Sequence, residues 1–147
     1  MNGYKRMSLN DSIRQQIVEE VLAAYPTAQA VYLFGSFGTG DEWPNSDVDV
    51  AVLLPPDEAK RAGSLALSPL RVTLERALRR DVDLINVRSV PTVFQKEIVT
   101  TGRRIACADR YAAEEFEMLT LSLYQKLNEE RKEILEQFFE TGKAYDV

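Results

Sequence analysis

Histidine does not occur in the 147 residues. Its absence removes Ser-His-Asp and Cys-His catalysis, and ordinary zinc sites with them. Any chemistry must therefore use carboxylates, hydroxyls, lysine or a hard metal ion held by oxygen. Cysteine is almost absent: Cys107 stands alone, so no internal disulfide can form, and a cytoplasmic location is expected. No run of about 18 apolar residues exists, so no membrane span is expected. Met1 to Asn10 lacks the apolar stretch of a signal peptide. Positive charge is also scarce, at 18 Lys and Arg against 23 Asp and Glu, a net charge of −5. That balance argues against a basic nucleic-acid platform, and no sequence-specific nucleic-acid binding is expected.

What is present reads as one domain over residues 1–147, without repeats or a break in composition. Ile13, Ile17, Val18, Val21, Leu22 and Tyr25 recur at helical spacing from Asn10, and Pro26 ends the pattern. Ala30 to Phe34 is a short apolar run closed by Gly35, and Asp47 to Leu54 a second, closed by Pro55-Pro56; both read as strands. Leu70, Leu74, Ala77 and Leu78 mark a helix with Pro69 in its first turn. Val82 to Val87 is a third strand, and Val90, Phe94, Ile98 and Val99 a helix stopped by Gly102 in the position just past its end. Arg104 to Cys107 suits a short fourth strand. From Tyr111 to Phe139 the chain is helical, as one helix or two, with Phe116, Leu119, Leu123, Leu127, Ile134, Leu135 and Phe138 on one side and Gly142 at its end. The expected fold is α/β in the α+β sense: a small mixed sheet flanked by helices, with residues 1–108 as core and 109–147 as a C-terminal helical segment. A doubly wound dinucleotide fold is disfavoured, because no Gly-x-Gly-x-x-Gly follows the first strand.

The chemistry gathers at Gly35-Ser36, ten residues, then Asp47-Val48-Asp49. A strand delivers the chain to Gly35, whose missing side chain lets backbone amides approach a phosphate. Ser36 offers a hydroxyl to the same oxygens. Asp47 and Asp49 share one face of a strand, since side chains alternate with period two. Two carboxylates on one face repel unless a cation lies between them, and Mg²⁺ is the natural choice. Asp83, in the apolar run Val82-Asp83-Leu84-Ile85, would be costly there without a partner. If its strand neighbours the second, three carboxylates and two metal ions form a site for phosphoryl or nucleotidyl transfer, with Asp83 placed to accept a proton from an incoming hydroxyl. A Gly-Ser pair alone is usually a turn, and Asp-x-Asp alone is often a solvated edge. All four positions at this spacing arise by chance in on the order of one such chain in several hundred.

With its third aspartate, Gly35-Ser36-x10-Asp47-x-Asp49 resembles the signature of the DNA polymerase β-like nucleotidyltransferases. More narrowly, the chain resembles the minimal nucleotidyltransferases. Its tail, Tyr124-Gln125-Lys126-Leu127-Asn128-Glu129-Glu130-Arg131 with Ile134-Leu135-Glu136, is similar to that of the MntA antitoxins paired with HEPN-domain toxins. The resemblance implies transfer of AMP from ATP to a tyrosine of a HEPN RNase toxin, which silences it. It implies that Gly35 and Ser36 hold the triphosphate, that Asp47 and Asp49 bind both Mg²⁺ ions, and that Asp83 binds one ion and assists the nucleophile. HEPN nucleases need an Arg…His motif, so a chain without histidine is not the toxin half.

Two further readings of function stay open: an antibiotic-modifying transferase acting on a small hydroxylated molecule, and an antitoxin that works by occlusion alone. Many relatives carry a basic residue soon after Gly-Ser, where this chain has Phe37-Gly38-Thr39-Gly40; Lys60, Arg61 or Arg71 could supply that contact. Asp41 and Glu42 read as solvated charges, Trp43 as either a base-stacking or a self-packing aromatic, and Asp81 as an exposed edge charge. Phe116, Leu123, Phe138 and Phe139 are candidates for a partner interface as well as for core.

Overall fold

Val48, Val50 and Val52 face one side of a strand, and Asp49, Ala51 and Leu53 the other. That alternation decides where everything else packs. The computed structural model describes residues 9–35 and 47–141. In chain order the elements are α1 (Leu9–Ala24), β1 (Ala30–Phe34), β2 (Val48–Leu53), α2 (Pro56–Ala62), α3 (Pro69–Leu78), β3 (Val82–Asn86), α4 (Thr92–Thr101), β4 (Arg103–Cys107) and α5 (Arg110–Thr141). A single 3₁₀ turn, Val87–Ser89, joins β3 to the segment before α4.

The strands form one mixed sheet in the order β3-β2-β1-β4. β1 is antiparallel to both neighbours, whereas β2 and β3 are parallel and joined by a crossover through α2 and α3. Ile13, Ile17 and Val21 of α1, with Leu70 and Leu74 of α3, cover one face and meet Val31, Val50 and Leu84. Ile98 of α4 and Ala113 and Phe116 of α5 cover part of the other, over Tyr32, Ala51 and Leu53. The result is three layers, α/β/α. β2 is buried along both faces because it is an inner strand between two helical layers.

Local chemistry explains the ends. Ser68 caps α3, its hydroxyl accepting from the Arg71 amide, and Pro69 occupies the first turn, where no amide is needed. α2 was not foreseen. Its seven residues show too little periodicity, and Pro55-Pro56 reads as a strand breaker although Pro56 starts the helix. Buried Asn86 holds α2 to the sheet by donating to Ala59 O and Gly63 O, both at 2.9 Å.

Arg110–Thr141 is one continuous helix, with Gly142 outside the described residues, yet only Ala113, Phe116 and Thr120 of α5 are buried. Its first half is anchored by a network that the apolar pattern hid. The Tyr32 hydroxyl donates to Glu117 Oε2 at 2.7 Å, and Arg104 pairs with the same oxygen at 3.0 Å. Burial, with Glu117 next, holds the Tyr32 phenol well above its ordinary value, so it stays a donor.

Gly102 does follow α4, but not for a left-handed turn, since its φ is −78°. It is glycine because a Cβ would lie 2.3 Å from Ile98 O and 3.2 Å from Leu33 O, both backbone atoms. Gly102→Ala should therefore destabilise the protein by about 2–3 kcal/mol through forced separation of α4 from β1. Urea denaturation checks this, and a loss near zero would show that the helix end can shift freely.

Candidate active site

Phe34 pairs with Asp49 across β1 and β2, and Asp49 pairs with Asp83 across β2 and β3. Partners in register point to the same face, so Asp49 and Asp83 stand side by side on the α4/α5 side of the sheet. Phe94 of α4 meets Phe34 edge-on with ring centroids 5.8 Å apart. Asp47 lies just before β2 and is exposed. Gly35, at the end of β1, has φ +74°, and a Cβ there would sit 2.1 Å from Asp49 Oδ2. The glycine thus brings the backbone against the Asp49 carboxylate, which no other residue could do. Ser36, with Asp41, Glu42 and Trp43 of the same segment, lies outside the described residues.

Burial raises the Asp49 carboxyl to about 6, with Asp83 and then Asp47 adding to the effect. The expected cost of placing a carboxylate in β3 does not fall on Asp83, which is exposed at the outer strand of the sheet. It falls on Asp49, half-buried on the inner strand. An acid held in this way gains from any cation that reaches it, so the donor set suits a hard divalent ion bound by oxygen. Among the described residues, no three such side chains already converge tightly enough to make a complete metal-binding group.

The cations considered for a phosphate contact are engaged or distant. Arg71 donates to Val82 O at 3.1 Å and Ala66 O at 2.9 Å, and pairs with Glu75; it ties α3 to the edge of β3. Lys60 and Arg61 belong to α2, which follows the far end of β2, about 16 Å along the strand from Asp49. Asp81 is an exposed edge residue, as expected, and its carbonyl accepts from the Val48 amide at 2.9 Å. A groove of about 580 Å³ opens away from the carboxylates. It lies at the α2 end, between Lys60, Arg88, Gln95, Phe116 and Leu123. Arg88 is committed there: it donates to Leu54 O and to Gln29 Oε1 at 2.8 Å and lies 5.3 Å from the Phe116 ring centre.

A carboxylate pair across parallel strands, one half-buried and one exposed, with a glycine of positive φ against the first, is an arrangement suited to nucleotidyl transfer. The model of the polymerase beta nucleotidyltransferase family matches residues 16–111, from α1 to the start of α5. The chain belongs to this family. Its mixed sheet with a C-terminal helix is the polymerase β-like nucleotidyltransferase fold. Among characterised proteins it is similar to the protein adenylyltransferase MntA of Shewanella oneidensis, with 38% identity over 111 residues, which is 76% of each chain. It is similar to a toxin–antitoxin structure containing AMP-PNP, with 32% identity and a TM-score of 0.66 over 86% of this chain and 98% of that one. It also matches a structure of the tri-AMPylated Shewanella oneidensis HEPN toxin in complex with the MNT antitoxin, with 30% identity and a TM-score of 0.65 over 89% of this chain and 99% of that one. Among the described residues, no helix is long and apolar enough to cross a membrane.

Proposed function

We propose that this nucleotidyltransferase is the antitoxin of a HEPN toxin pair and that it moves AMP from ATP to a tyrosine hydroxyl of the toxin. The reading rests on the Asp49–Asp83 pair and on relatives that bear the name protein adenylyltransferase and accompany an AMPylated HEPN toxin. The whole chain acts as one domain: residues 1–108 carry the chemistry and 109–147 form the helical segment. The protein works in the cytoplasm, where ATP and its partner meet.

The roles are those that the family resemblance implies. Asp47 and Asp49 would hold two Mg²⁺ ions, and Asp83 one of them. When bound, these ions supply positive charge against the triphosphate and the departing pyrophosphate. Gly35 and Ser36 cradle the phosphates with backbone amides and a hydroxyl. Asp83, the most accessible of the strand-borne carboxylates, accepts the tyrosine proton as its oxygen attacks the α-phosphorus. The bond between α- and β-phosphates breaks, pyrophosphate leaves with its electron pair, and a phosphodiester to tyrosine remains.

Incubation of the protein with ATP, Mg²⁺ and its HEPN partner should add units of ~329 Da to the toxin, the mass of an AMP residue, and Asp47→Asn should abolish the addition. An unmodified toxin in the presence of folded wild-type protein would reject the reading. Full neutralisation by an Asp47→Asn, Asp49→Asn double variant would point to occlusion instead.

A further inference from the structure

Arg79 is the one non-glycine residue of positive φ among the described residues, at φ 54° and ψ 40°. It closes α3, in a position that glycine usually takes because a side chain there is disfavoured. A cation at a helix C-terminus does gain from the helix dipole, but Arg76 already provides that charge in the last turn. The fold therefore gives no reason for a long side chain at 79, and a disfavoured conformation kept by an exposed arginine points to the work of its head group. Three hydrogen bonds fix the turn. The Arg79 amide donates to Glu75 O at 2.8 Å, the Val82 amide to Glu75 Oε2 at 3.0 Å, and the Val48 amide to Asp81 O at 2.9 Å. The last of these ties the turn to β2 one residue after Asp47.

The turn lies at the carboxylate end of the sheet. Arg79 and Arg80 precede Asp83 in the chain by no more than about 10–13 Å of extended backbone. With Glu75 and Asp81 they outline a groove of about 360 Å³. Glu75 is already engaged by the Val82 amide and by Arg71 at 3.4 Å, which leaves Asp81 against two arginines. Across the site the order is Gly35 at the end of β1, Asp49 on β2, Asp83 on the outer strand, and then this turn. Two strand spacings, about 10 Å, separate Gly35 from the β3 side, with the carboxylates between. Phosphates held at Gly35 thus leave the turn to whatever arrives from the other side, beside Asp83.

We propose that Arg79 and Arg80 form an anion subsite on the acceptor side, which takes a negatively charged group of the HEPN partner lying next to the acceptor hydroxyl. That group is a carboxylate of the toxin or the phosphodiester of an AMP already transferred; the guanidinium fork suits both. The assignment rests on the function proposed above. The rim of the site otherwise presents Asp47, Asp81 and Asp83, all exposed, and these repel an anionic acceptor unless cations stand beside them. A relative of this chain accompanies a tri-AMPylated toxin, so phosphodiesters do occur on such a partner.

AMP transfer measured over toxin and ATP concentrations separates the two sides of the site. The double variant Arg79→Glu, Arg80→Glu should lower kcat/KM for the acceptor at least about tenfold and leave KM for ATP within about twofold of wild type. Arg79→Gly suits the positive φ, so it should melt no lower than wild type, yet lower kcat/KM for the acceptor about threefold or more. A merely structural arginine would not give that combination. Supplying the toxin unmodified and already AMPylated identifies the anion. A loss with unmodified toxin assigns it to a toxin carboxylate, and a loss with the AMPylated form alone assigns it to the phosphodiester. Wild-type kcat/KM in both variants on both forms would overturn the proposal. So would a loss that appears in KM for ATP, which would place the pair on the nucleotide. Toxin left unmodified by the wild type would remove the proposed function and this assignment with it, whereas modified toxin with insensitive variants removes this assignment alone.

Discussion

Asp49→Asn should give a protein that is more stable without ligand and that transfers no measurable AMP. Both effects come from the same half-buried carboxylate. Its folded value of about 6 lies above the ordinary 3.8, so the folded state takes up a proton more readily than the unfolded one. Below about pH 3.8 both states are protonated and Asp49 costs nothing. As pH rises through about 6, the cost becomes complete and stays constant above. Asparagine removes it, so the variant's advantage should open between those values and persist at neutral pH. Because about half of the group still meets screening solvent, the gain is on the order of 1 kcal/mol. Thermal melts at pH 3.5 and pH 7.5 measure it; equal differences from wild type at the two pH values would contradict the origin assigned here. With Mg²⁺ and ATP analogue added the order should invert, since only wild type has the charge that a cation stabilises. The loss in transfer should be about a thousandfold or more, as expected when a charge that positions metal and phosphate is deleted. Asp83→Asn should also inactivate, yet change stability without ligand far less, because Asp83 is exposed.

The contrast between Asp49 and Asp83 also marks how far the sequence could be read. Alternation along Val48–Leu53 and the glycine-bounded run before it were enough to place both strands and to put Asp49 on one face. That Asp83 would be its neighbour was conditional on two strands lying side by side, which is a long-range fact that no local pattern contains. The parallel pairing of β2 and β3 supplies it. Which carboxylate would lose its solvent was misjudged for the same reason. An apolar run looks buried, but an outer strand leaves alternate residues in water.

Other features were illegible because their signals are single residues. Tyr32, Glu117 and Arg104 are far apart in sequence, and only the fold brings their polar atoms together. Asn86 reads as the end of a strand, not as the clamp on a seven-residue helix. Arg71, weighed as a phosphate ligand by its charge alone, serves backbone carbonyls instead. The periodicity of α5 was visible throughout, but a stripe has the same appearance whether it covers the body, as around Phe116, or leaves it, as after Tyr124.

Gly35→Ala should remove most activity for little stability, and a second glycine shows why the two can be separated. Gly35 and Gly63 both have positive φ, +74° and +59°. An alanine at either position carries a conformational penalty, about 1–3 kcal/mol, with Gly63 at the upper end because its ψ of −141° lies outside the left-handed helical region. At Gly63 nothing lies within 4 Å of the added Cβ, so that penalty is the whole effect. At Gly35 the Cβ would be 2.1 Å from Asp49 Oδ2 and 3.2 Å from its Cγ. The carboxylate is the tip of a short side chain and can turn away, which keeps the added loss of stability to about 1 kcal/mol. Turning away takes it out of line with Asp83, however, and a misplacement of about 1 Å in such a site costs about a hundredfold in rate. Gly35→Ala should therefore lose about a hundredfold or more in transfer with a melt no lower than that of Gly63→Ala, whose transfer stays within about twofold of wild type. Equal activity in the two variants would mean that Gly35 serves only the turn. A Gly35→Ala protein whose activity falls only in step with its folded fraction would show the same.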